Sequence, residues 1–453
     1  MNQTRIAQKY WLERAWLGDG AVSAGVSVTV DDGCFTAVET GVAEPARGAN
    51  RLAGLTIPGL ANCHSHAFHR ALRGRTQRER GNFWTWREQM YSVAEKLNPD
   101  SYYELARATY REMVAAGITS VGEFHYLHHG PDGAPYDNPN AMGLALIAAA
   151  QDVGIRIALL DACYLAAGIG RPPEGVQVRY SDGDTEAWMK RVGDLASHAD
   201  RPGQENSVVV GAAIHSVRAV PRDQMRDVVA WAQGRQAPLH MHLSEQVAEN
   251  ESCLAAYGIT PAAVFAEVGA LGPLTSVVHA THLTDGDVAV LGETGTSSCL
   301  CPTTERDLGD GIGPSRLLHQ AGSPLILGSD SHAVIDMFEE MRAVELDERL
   351  ATQKRGHWAA DELIAAATYD GHRSLGFPDV GRIAVGARAD MVTLDTSSPR
   401  TAGSGADAET VVFAATGSDV VHVVADGRVV ATRDDHRQIG VDLDRTIANL
   451  WGE

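Results

Sequence analysis

The middle of the chain alternates between short apolar runs and longer segments whose apolar residues recur at helical spacing. The apolar runs predict eight strands, at Thr56–Cys63, Ile118–Phe124, Arg156–Cys163, Val208–His215, Pro238–Leu243, Ser276–Leu283, Ser297–Cys301 and Pro324–Gly328. Helical segments separate most of them, at Ser101–Ala116, Asn140–Val153, Thr185–Ser197, Arg222–Gln233 and Pro261–Val268. Strands that alternate with helices in this way are typical of an α/β protein built as a (β/α)8 TIM-type barrel.

A doubly wound open sheet is the alternative architecture, since it also alternates strands with helices. Such a sheet is expected to carry a glycine-rich turn after its first strand, whereas this chain has His64 and His66 there. Polar residues also gather at the ends of the predicted strands, where barrels of this type carry their active sites. The pattern therefore favours the barrel.

Both ends of the chain carry a different pattern, in which apolar and polar residues alternate one by one. Near the start, Ala21–Glu39 predicts two strands divided by a turn at residues 31–33. Near the end, Ala389–Asp395 and Asp419–Asp434 predict further strands, the second with a hairpin turn at Asp426-Gly427. We expect one small β-sandwich domain formed from residues 1–57 plus 379–453, and a barrel domain at 58–378. Two unrelated terminal appendages are the alternative.

Composition limits the partners and the compartment. The net charge of −20 on 453 residues argues against nucleic acid or an anionic membrane surface as a partner. No apolar run is long enough to span a bilayer, and the first residues lack the apolar core of a signal peptide. Six cysteines without a disulfide spacing indicate reduced thiols, and core packing is the favoured interpretation of Cys299 and Cys301. We expect a cytoplasmic protein.

Histidine and carboxylate residues follow the ends of four predicted strands. The stretch TIPGLANCHSHAFHRALRG, from Thr56 to Gly74, contains His64 and His66. Residues two apart on an extended strand point to the same face, so both imidazoles can bind one metal ion. One H-x-H is a weak signal, because two histidines in a turn give the same pattern. Three later segments, LHMHLSE, VVHATHL and LILGSDSH, end in the same way, and together the four predict a metal site.

The segment LHMHLSE offers two histidines and one carboxylate. His240 and His242 share a strand face, and His242 lies nearer the strand end. We interpret His242 as the third ligand and His240 as a deeper structural residue. Glu245 follows three residues later and could be a solvated loop charge. Beside a metal ion, burial and nearby cations would suit its carboxyl group to proton transfer.

The segments VVHATHL and LILGSDSH each offer one preferred residue and one weaker neighbour. His279 comes directly from the apolar run and is assigned to the site, whereas His282 is assigned to loop packing. Asp330 ends the last predicted strand, where a buried and unpaired carboxylate would be costly. A metal ion or a strong donor is therefore its expected partner, and His332 is the weaker candidate.

Three or four nitrogen and oxygen ligands without a cysteine set suit a catalytic zinc ion that keeps an open position for water. Iron, manganese or nickel could occupy the same ligands. Because zinc lowers the pKa of its bound water to about 7, hydroxide becomes available at neutral pH. The expected reaction class is metal-assisted hydrolysis.

Several of these motifs resemble those of the amidohydrolase superfamily. PGLANCHSH, HLSE, the histidine of VVHATH and GSD follow its pattern, and ATYDGHRSLGFPDVGRIAVGARADMVTLD resembles its return from barrel to β domain. The segment AAIHSVRAV has no lysine at the end of the fourth strand to bridge two metals, which implies the mononuclear deaminase branch. More narrowly, CHSHAFHRALRG, NFWTWREQMY, GEFHYLHH and CPTTERDLGDGIG resemble the formimidoylglutamate deiminases of histidine degradation.

The resemblance implies a role for each matching position. The residues implied to hold a single zinc ion are His64, His66, His242 and Asp330. The residues implied to contact the substrate are His69, Arg87, Tyr126, His215 and Arg218. His279 would hydrogen-bond the attacking water, Asp330 or Glu245 would take its proton, and Glu245 would carry a proton to the substrate nitrogen. Two positions depart from the family pattern, which often has glutamine in place of His69 and asparagine in place of Asp307.

The implied activity is hydrolytic deamination of N-formimidoyl-L-glutamate to N-formyl-L-glutamate and ammonia. Arginine suits the two carboxylates of this substrate because it binds carboxylate in a two-pronged fashion. A deaminase of the same branch acting on a purine, pterin or triazine ring would share the metal residues and differ in its pocket. A non-catalytic barrel is a more distant alternative, against which the intact ligand set and Glu245 argue. The expected partners are a small-molecule substrate and a second copy of the chain in a homodimer.

Overall fold

The computed structural model describes residues 7–77, 83–200 and 207–453 of the chain, with the side chains of residues 83 and 84 left out. The motif NFWTWREQMY, which begins at Asn82, therefore lies partly outside the described residues. Within them, the strands are β1 Gln8–Ala15, β2 Ser23–Asp31, β3 Cys34–Glu39, β4 Asn50–Pro58, β5 Leu60–Ser65, β6 Ile118–His125, β7 Arg156–Cys163, β8 Val208–Ile214, β9 Leu239–Leu243, β10 Thr275–His279, β11 Ser297–Leu300, β12 Leu325–Leu327, β13 Met391–Leu394, β14 Val420–Ala425 and β15 Arg428–Thr432.

Helices follow most of the barrel strands, and further helices come after the last barrel strand in the chain. They are α1 Phe83–Lys96, α2 Pro99–Ala115, α3 Ala141–Val153, α4 Thr185–Ala199, α5 Arg222–Arg235, α6 Val247–Tyr257, α7 Pro261–Glu267, α8 Asp285–Glu293, α9 Pro302–Leu308, α10 Ser315–Ala321, α11 Met337–Thr352, α12 Ala360–Ala367, α13 Tyr369–Ser374, α14 Ala408–Phe413 and α15 His436–Trp451. Short 3₁₀ helices occupy Ala67–Leu72, Gly175–Tyr180, Gly417–Asp419 and Arg433–Asp435. Among the described residues, none of these helices has the length and apolar content to span a lipid bilayer.

The strands from both chain ends form one mixed sheet. Its seven strands run in the order β15-β14-β13-β4-β1-β2-β3. Alternate residues of β2, such as Val26, Val28 and Val30, are buried in a core that also contains Leu12 and Phe35. The alternating pattern therefore predicted β2, β3, β13, β14 and β15 and their union in one region, but it missed β1 and most of β4. The division into residues 1–57 plus 379–453 and 58–378 remains a proposal.

The middle of the chain forms the (β/α)8 barrel that the alternation predicted. Strands β5 to β12 lie side by side in chain order and all pair in parallel. Buried on both faces, they carry the continuous apolar runs expected of parallel strands. The two edge strands meet through main-chain bonds, since Asp330 N–H donates to His64 O at 2.9 Å and His66 N–H donates to Asp330 O at 3.2 Å. The barrel therefore closes at the residues assigned to the metal site.

The first predicted barrel strand is divided in the structure. The prediction ran from Thr56 to Cys63, but its first three residues belong to β4 of the terminal sheet and β5 begins at Leu60. Gly59 lies at the break, where a Cβ atom would come within 2.3 Å of Thr119 Oγ1 and 2.9 Å of Asp390 Cβ. Only glycine allows the backbone to pass this close from one sheet to the other.

A buried ion network joins the barrel to the terminal sheet. Arg156, at the start of β7, contacts Asp390 with both terminal nitrogens, one of them at 3.1 Å, and also contacts Asp426. The side chains of Arg156 and Asp390 are 2% and 0% exposed. Removing the arginine would leave the buried carboxylate of Asp390 without the positive charge of Arg156, and such a loss is strongly destabilising.

We therefore expect Arg156→Met to lower the free energy of unfolding by about 3–5 kcal/mol. Urea unfolding followed by circular dichroism measures this change. Arg171→Met is the matched control, because Arg171 pairs with Glu174 at an exposed site. If Arg156→Met costs no more than the control, the network does not stabilise the junction.

Candidate active site

Four side chains converge at the carboxyl end of the barrel strands. His64 and His66 come from the end of β5, His242 from β9, and Asp330 follows β12. His64 Nε2 lies 3.1 Å from His242 Nε2 and 3.4 Å from Asp330 Oδ1. His66 Nε2 lies 3.3 Å from the same Asp330 oxygen. The four predicted ligands are thus within direct reach of one another.

Hydrogen bonds fix the tautomers of two of these histidines. His66 Nδ1 lies 3.0 Å from Phe124 O, and His242 Nδ1 lies 2.8 Å from His215 O. Because a carbonyl oxygen can only accept, each Nδ1 must donate, which leaves each neutral ring with a free lone pair on Nε2. Burial lowers the pKa of His64, His66 and His242, which favours the neutral form that binds a metal ion.

The arrangement fits a divalent ion. Burial acts to raise the pKa of Asp330, but the hydrogen bond and attraction from His64 outweigh it and hold that pKa well below its usual range. Unprotonated nitrogens and a carboxylate that face one another call for a cation between them. With metal–nitrogen distances of about 2.0–2.1 Å, ligand atoms of a tetrahedral site lie about 3.3–3.4 Å apart. The spacings found here match that geometry.

Glu245 and His279 lie beside this ligand set. His279 Nε2 is 3.8 Å from Glu245 Oε1 and 3.8 Å from Asp330 Oδ2. Burial raises the pKa of Glu245. Burial lowers the pKa of His279, but attraction from Glu245 and its other carboxylate neighbours outweighs this and raises the pKa well above its ordinary value. A carboxyl and an imidazole in such contact can exchange protons with a reacting group placed between them.

Unusual backbone geometry turns these groups toward the centre. Ser244, His279, Ala280 and Asp330 have φ values of +50°, +70°, +50° and +42°. Non-glycine residues rarely adopt the left-handed region, and such residues cluster at functional sites. Each lies in or next to the turn that follows a barrel strand. Strand periodicity alone could not foresee these turns.

The five residues implied to contact the substrate line one cavity together with Glu245, His279 and three of the ligands. His69 Nε2 lies 2.9 Å from Tyr126 Oη, and His215 stacks edge-on against Tyr164 at 4.7 Å between ring centroids. Arg87 lies over the ring of Tyr91, with 5.5 Å between its guanidinium carbon and the centroid. The cavity therefore combines two arginines with an aromatic wall beside the ligand set.

The model of the amidohydrolase family matches residues 55–430 of the chain. The chain belongs to the amidohydrolase family. It is a hydrolytic enzyme with the barrel of that family, and its histidine and aspartate cluster could bind the metal ion on which the superfamily depends.

Two deaminating enzymes are similar in sequence to this amidohydrolase. It is 36% identical over 421 residues to a formimidoylglutamate deiminase of Pseudomonas aeruginosa, covering 90% of this chain and 91% of the relative. It is 28% identical over 379 residues to a 5-methylthioadenosine/S-adenosylhomocysteine deaminase of Halobacterium salinarum, covering 83% and 81%. Among solved structures, an adenosine deaminase of Xanthomonas campestris with bound zinc has a TM-score of 0.84 at 22% identity, covering 98% of this chain and 99% of that one.

The weaker sequence candidates of the amidohydrolase are not among the four side chains that converge as candidate ligands. His240 is fully buried deeper in the barrel, and His282 lies half-buried in the loop after β10. His332 is buried with its ring nitrogens 3.1 Å from Ser65 Oγ and 3.0 Å from Ser329 Oγ. Asp307 is exposed, and both its carboxylate oxygens accept from Gln77 Nε2 at 2.8 Å.

Glu305 is a site residue that sequence reasoning missed. Its Oε1 lies 3.4 Å from His279 Nδ1 and accepts from Cys301 N–H at 2.8 Å. It therefore contacts the ring nitrogen of His279 that faces away from Glu245. The available signal was its position in CPTTERDLGDGIG, directly after an apolar strand.

A second histidine cluster of the amidohydrolase is closed by an arginine. His125, His128 and Asp161 lie within ligand distance of one another. However, Arg191 donates to both oxygens of Asp161 at 2.8 Å, and Trp188 Nε1 donates to it at 3.0 Å. A guanidinium ion thus already supplies the positive charge, and we assign this cluster a structural role.

Proposed function

We propose that this amidohydrolase is a zinc-dependent deiminase that hydrolyses N-formimidoyl-L-glutamate to N-formyl-L-glutamate and ammonia. The observation that carries the proposal is the presence of Arg87 and Arg218 in the cavity that contains Glu245 and the ligand set. A glutamate moiety has two carboxylates, and each arginine can bind one with paired hydrogen bonds. The relative at 36% identity supports the same substrate.

Zinc is proposed because three imidazoles and one carboxylate suit a catalytic site of that metal. The ion supplies a hydroxide nucleophile at neutral pH when bound. In the proposal, Asp330 or Glu245 accepts the proton of the attacking water, while His279 holds the oxygen that adds to the formimidoyl carbon. Glu245 then donates a proton to the nitrogen that leaves as ammonia. A buried carboxyl group with a raised pKa is suited both to accept the proton of the water and to donate a proton to the leaving nitrogen.

The substrate is held by the residues of the outer cavity. In the proposal, Arg218 and Arg87 bind the two carboxylates, and His69, Tyr126 and His215 orient the chain between them. His69 stands where related enzymes often have glutamine, and it can still donate or accept one hydrogen bond through its imidazole. We further propose that the enzyme works in the cytoplasm as a homodimer. Light scattering coupled to size-exclusion chromatography tests the assembly.

Arg218→Met should lower kcat/KM for formimidoylglutamate by roughly ten- to a hundredfold, without changing the metal content. Losing a charged hydrogen bond typically costs about 1.5–3 kcal/mol, which corresponds to that factor. Formimidoylglycine, which lacks the side-chain carboxylate, should be a poor substrate of the wild type. The measurement is ammonia release with both substrates for wild type, Arg218→Met and Arg87→Met.

Arg222→Met is the matched control, because Arg222 pairs with Glu267 and does not line the cavity. If wild type treats the two formimidoyl substrates alike, the two-arginine reading of the cavity is wrong. If a ring amine such as guanine or an adenosine derivative is turned over faster, the enzyme is a ring deaminase. Ring amines are included in the same assay because the relative from Halobacterium salinarum is named as a deaminase of adenosine derivatives.

A further inference from the structure

Glu249 links two parts of the active site that are distant along the chain. It lies in the first turn of α6, and it is 2% exposed. Its Oε2 accepts from Arg218 Nε at 2.5 Å, and its Oε1 accepts from Ser244 N–H at 2.8 Å. One buried carboxylate thus holds both an arginine of the cavity and the turn next to Glu245.

The bond to Ser244 stabilises a turn with an unusual conformation. Ser244 lies between His242 and Glu245 and has φ of +50°, in the left-handed region that non-glycine residues rarely adopt. The strain of such a conformation persists only where surrounding contacts hold it. Glu249 supplies a charged acceptor for the N–H of this residue, and this kind of hydrogen bond is among the stronger ones. The direction of the Glu245 side chain depends on that turn.

The bond to Arg218 decides which carboxylate the arginine faces. Arg218 Nη2 is 3.9 Å from Glu245 Oε2, too far for a hydrogen bond but close enough for an ion pair. Glu249 accepts from the neighbouring Nε on the same edge of the guanidinium at 2.5 Å, so the two carboxylates lie side by side along that edge. Without the Glu249 charge, Glu245 is the next carboxylate within reach of the arginine. A direct pair between them would occupy both the proton carrier and the cation meant for the substrate.

We propose that Glu249 is a positioning residue that keeps Arg218 turned toward the substrate carboxylate and away from Glu245, while it fixes the Ser244 turn. The part that concerns the substrate rests on the proposed function. The part that concerns the arginine and the turn rests on the contacts alone.

Glu249→Gln tests the proposal with little change in shape. A glutamine has one acceptor oxygen, so it can keep only one of the two bonds, and it carries no charge to hold the guanidinium. We expect KM for formimidoylglutamate to rise by roughly ten- to a hundredfold, the factor typical of a lost charged hydrogen bond. The kcat value should also fall, because Arg218 turns toward Glu245. Metal content and the thermal midpoint of unfolding serve to confirm that the variant is folded and loaded.

The same substitution in an Arg218→Met background separates positioning from general disruption. If Glu249 acts on KM through Arg218, the double variant should differ in KM from Arg218→Met by less than about threefold, since the two effects are not independent. If Glu249→Gln raises KM in the Arg218→Met background by as much as it does in the wild type, the proposal is overturned. Glu251→Gln removes the same charge from an exposed position of α6 and should leave both constants unchanged.

Crystal structures of wild type and Glu249→Gln give a result that does not depend on the substrate. We expect the Arg218 guanidinium to move to Glu245 in the variant. An arginine and a Ser244 turn that stay in place would overturn the proposal whatever the enzyme acts on. If the wild type does not hydrolyse formimidoylglutamate but Arg218 moves in the variant, the proposed function fails and the positioning role of Glu249 stands.

Discussion

Glu245→Gln should keep its metal ion and lose about 10²–10⁴ in kcat, the range for a positioned general acid–base. The side chain is buried next to the ligand set, and His279 lies 3.8 Å from its carboxylate. Glutamine preserves the shape and the hydrogen-bonding reach of glutamate, but it can neither take the proton of the attacking water nor return it to the leaving nitrogen. The loss should therefore appear in kcat, with little change in KM.

Steady-state ammonia release and metal analysis of the same preparations measure this effect. Glu293→Gln is a suitable control, because Glu293 lies on α8 with its side chain exposed and away from the cavity. Activity within a few-fold of the wild type would remove Glu245 from the mechanism. Loss of the metal would instead make it a ligand.

The sequence predicted the barrel and the convergence of four polar side chains because both follow from short-range pattern. Parallel strands are buried on both faces, so they read as continuous apolar runs, and their carboxyl ends meet at one side of the barrel. Polar residues placed just after such runs must then approach one another. This is why His64, His66, His242 and Asp330, from both edges and the centre of the strand order, were predicted to meet and lie within about 3.4 Å of a neighbour.

Features that depend on contacts between distant segments were not predictable in the same way. Glycine is needed at the break because Thr119 and Asp390 lie where a Cβ atom of residue 59 would stand, and neither neighbour is visible in the local pattern. Glu305 reaches His279 only because α9 starts beside the turn that follows β10. Glu249 lies four residues after Glu245, in the first turn of α6. Its bond to Arg218, 31 residues earlier in the chain, needed the fold.

Removal of the metal should abolish turnover completely, and His242→Ala should do so without a chelator. His242 is held by His215 O through Nδ1, so its Nε2 is oriented before any ion binds. Deleting it removes one of four donors and leaves His64 without its neighbour at 3.1 Å. Three donors would bind a divalent ion far less tightly, and hydrolysis would lose its nucleophile.

The experiment compares metal content, activity and thermal stability of wild type, His242→Ala and the control His282→Ala. Wild type and the control should hold about one ion per chain, lose activity with a chelator and recover it when zinc is added back. His242→Ala should stay inactive after the same addition.

Because the ion binds the folded state, an ion at a hundred times its dissociation constant adds about 2.7 kcal/mol to the free energy of unfolding. Chelation should therefore lower the melting temperature of the wild type but not that of His242→Ala. Two tightly held ions per chain would contradict the mononuclear site, since His64, His66, His242 and Asp330 converge on a single position.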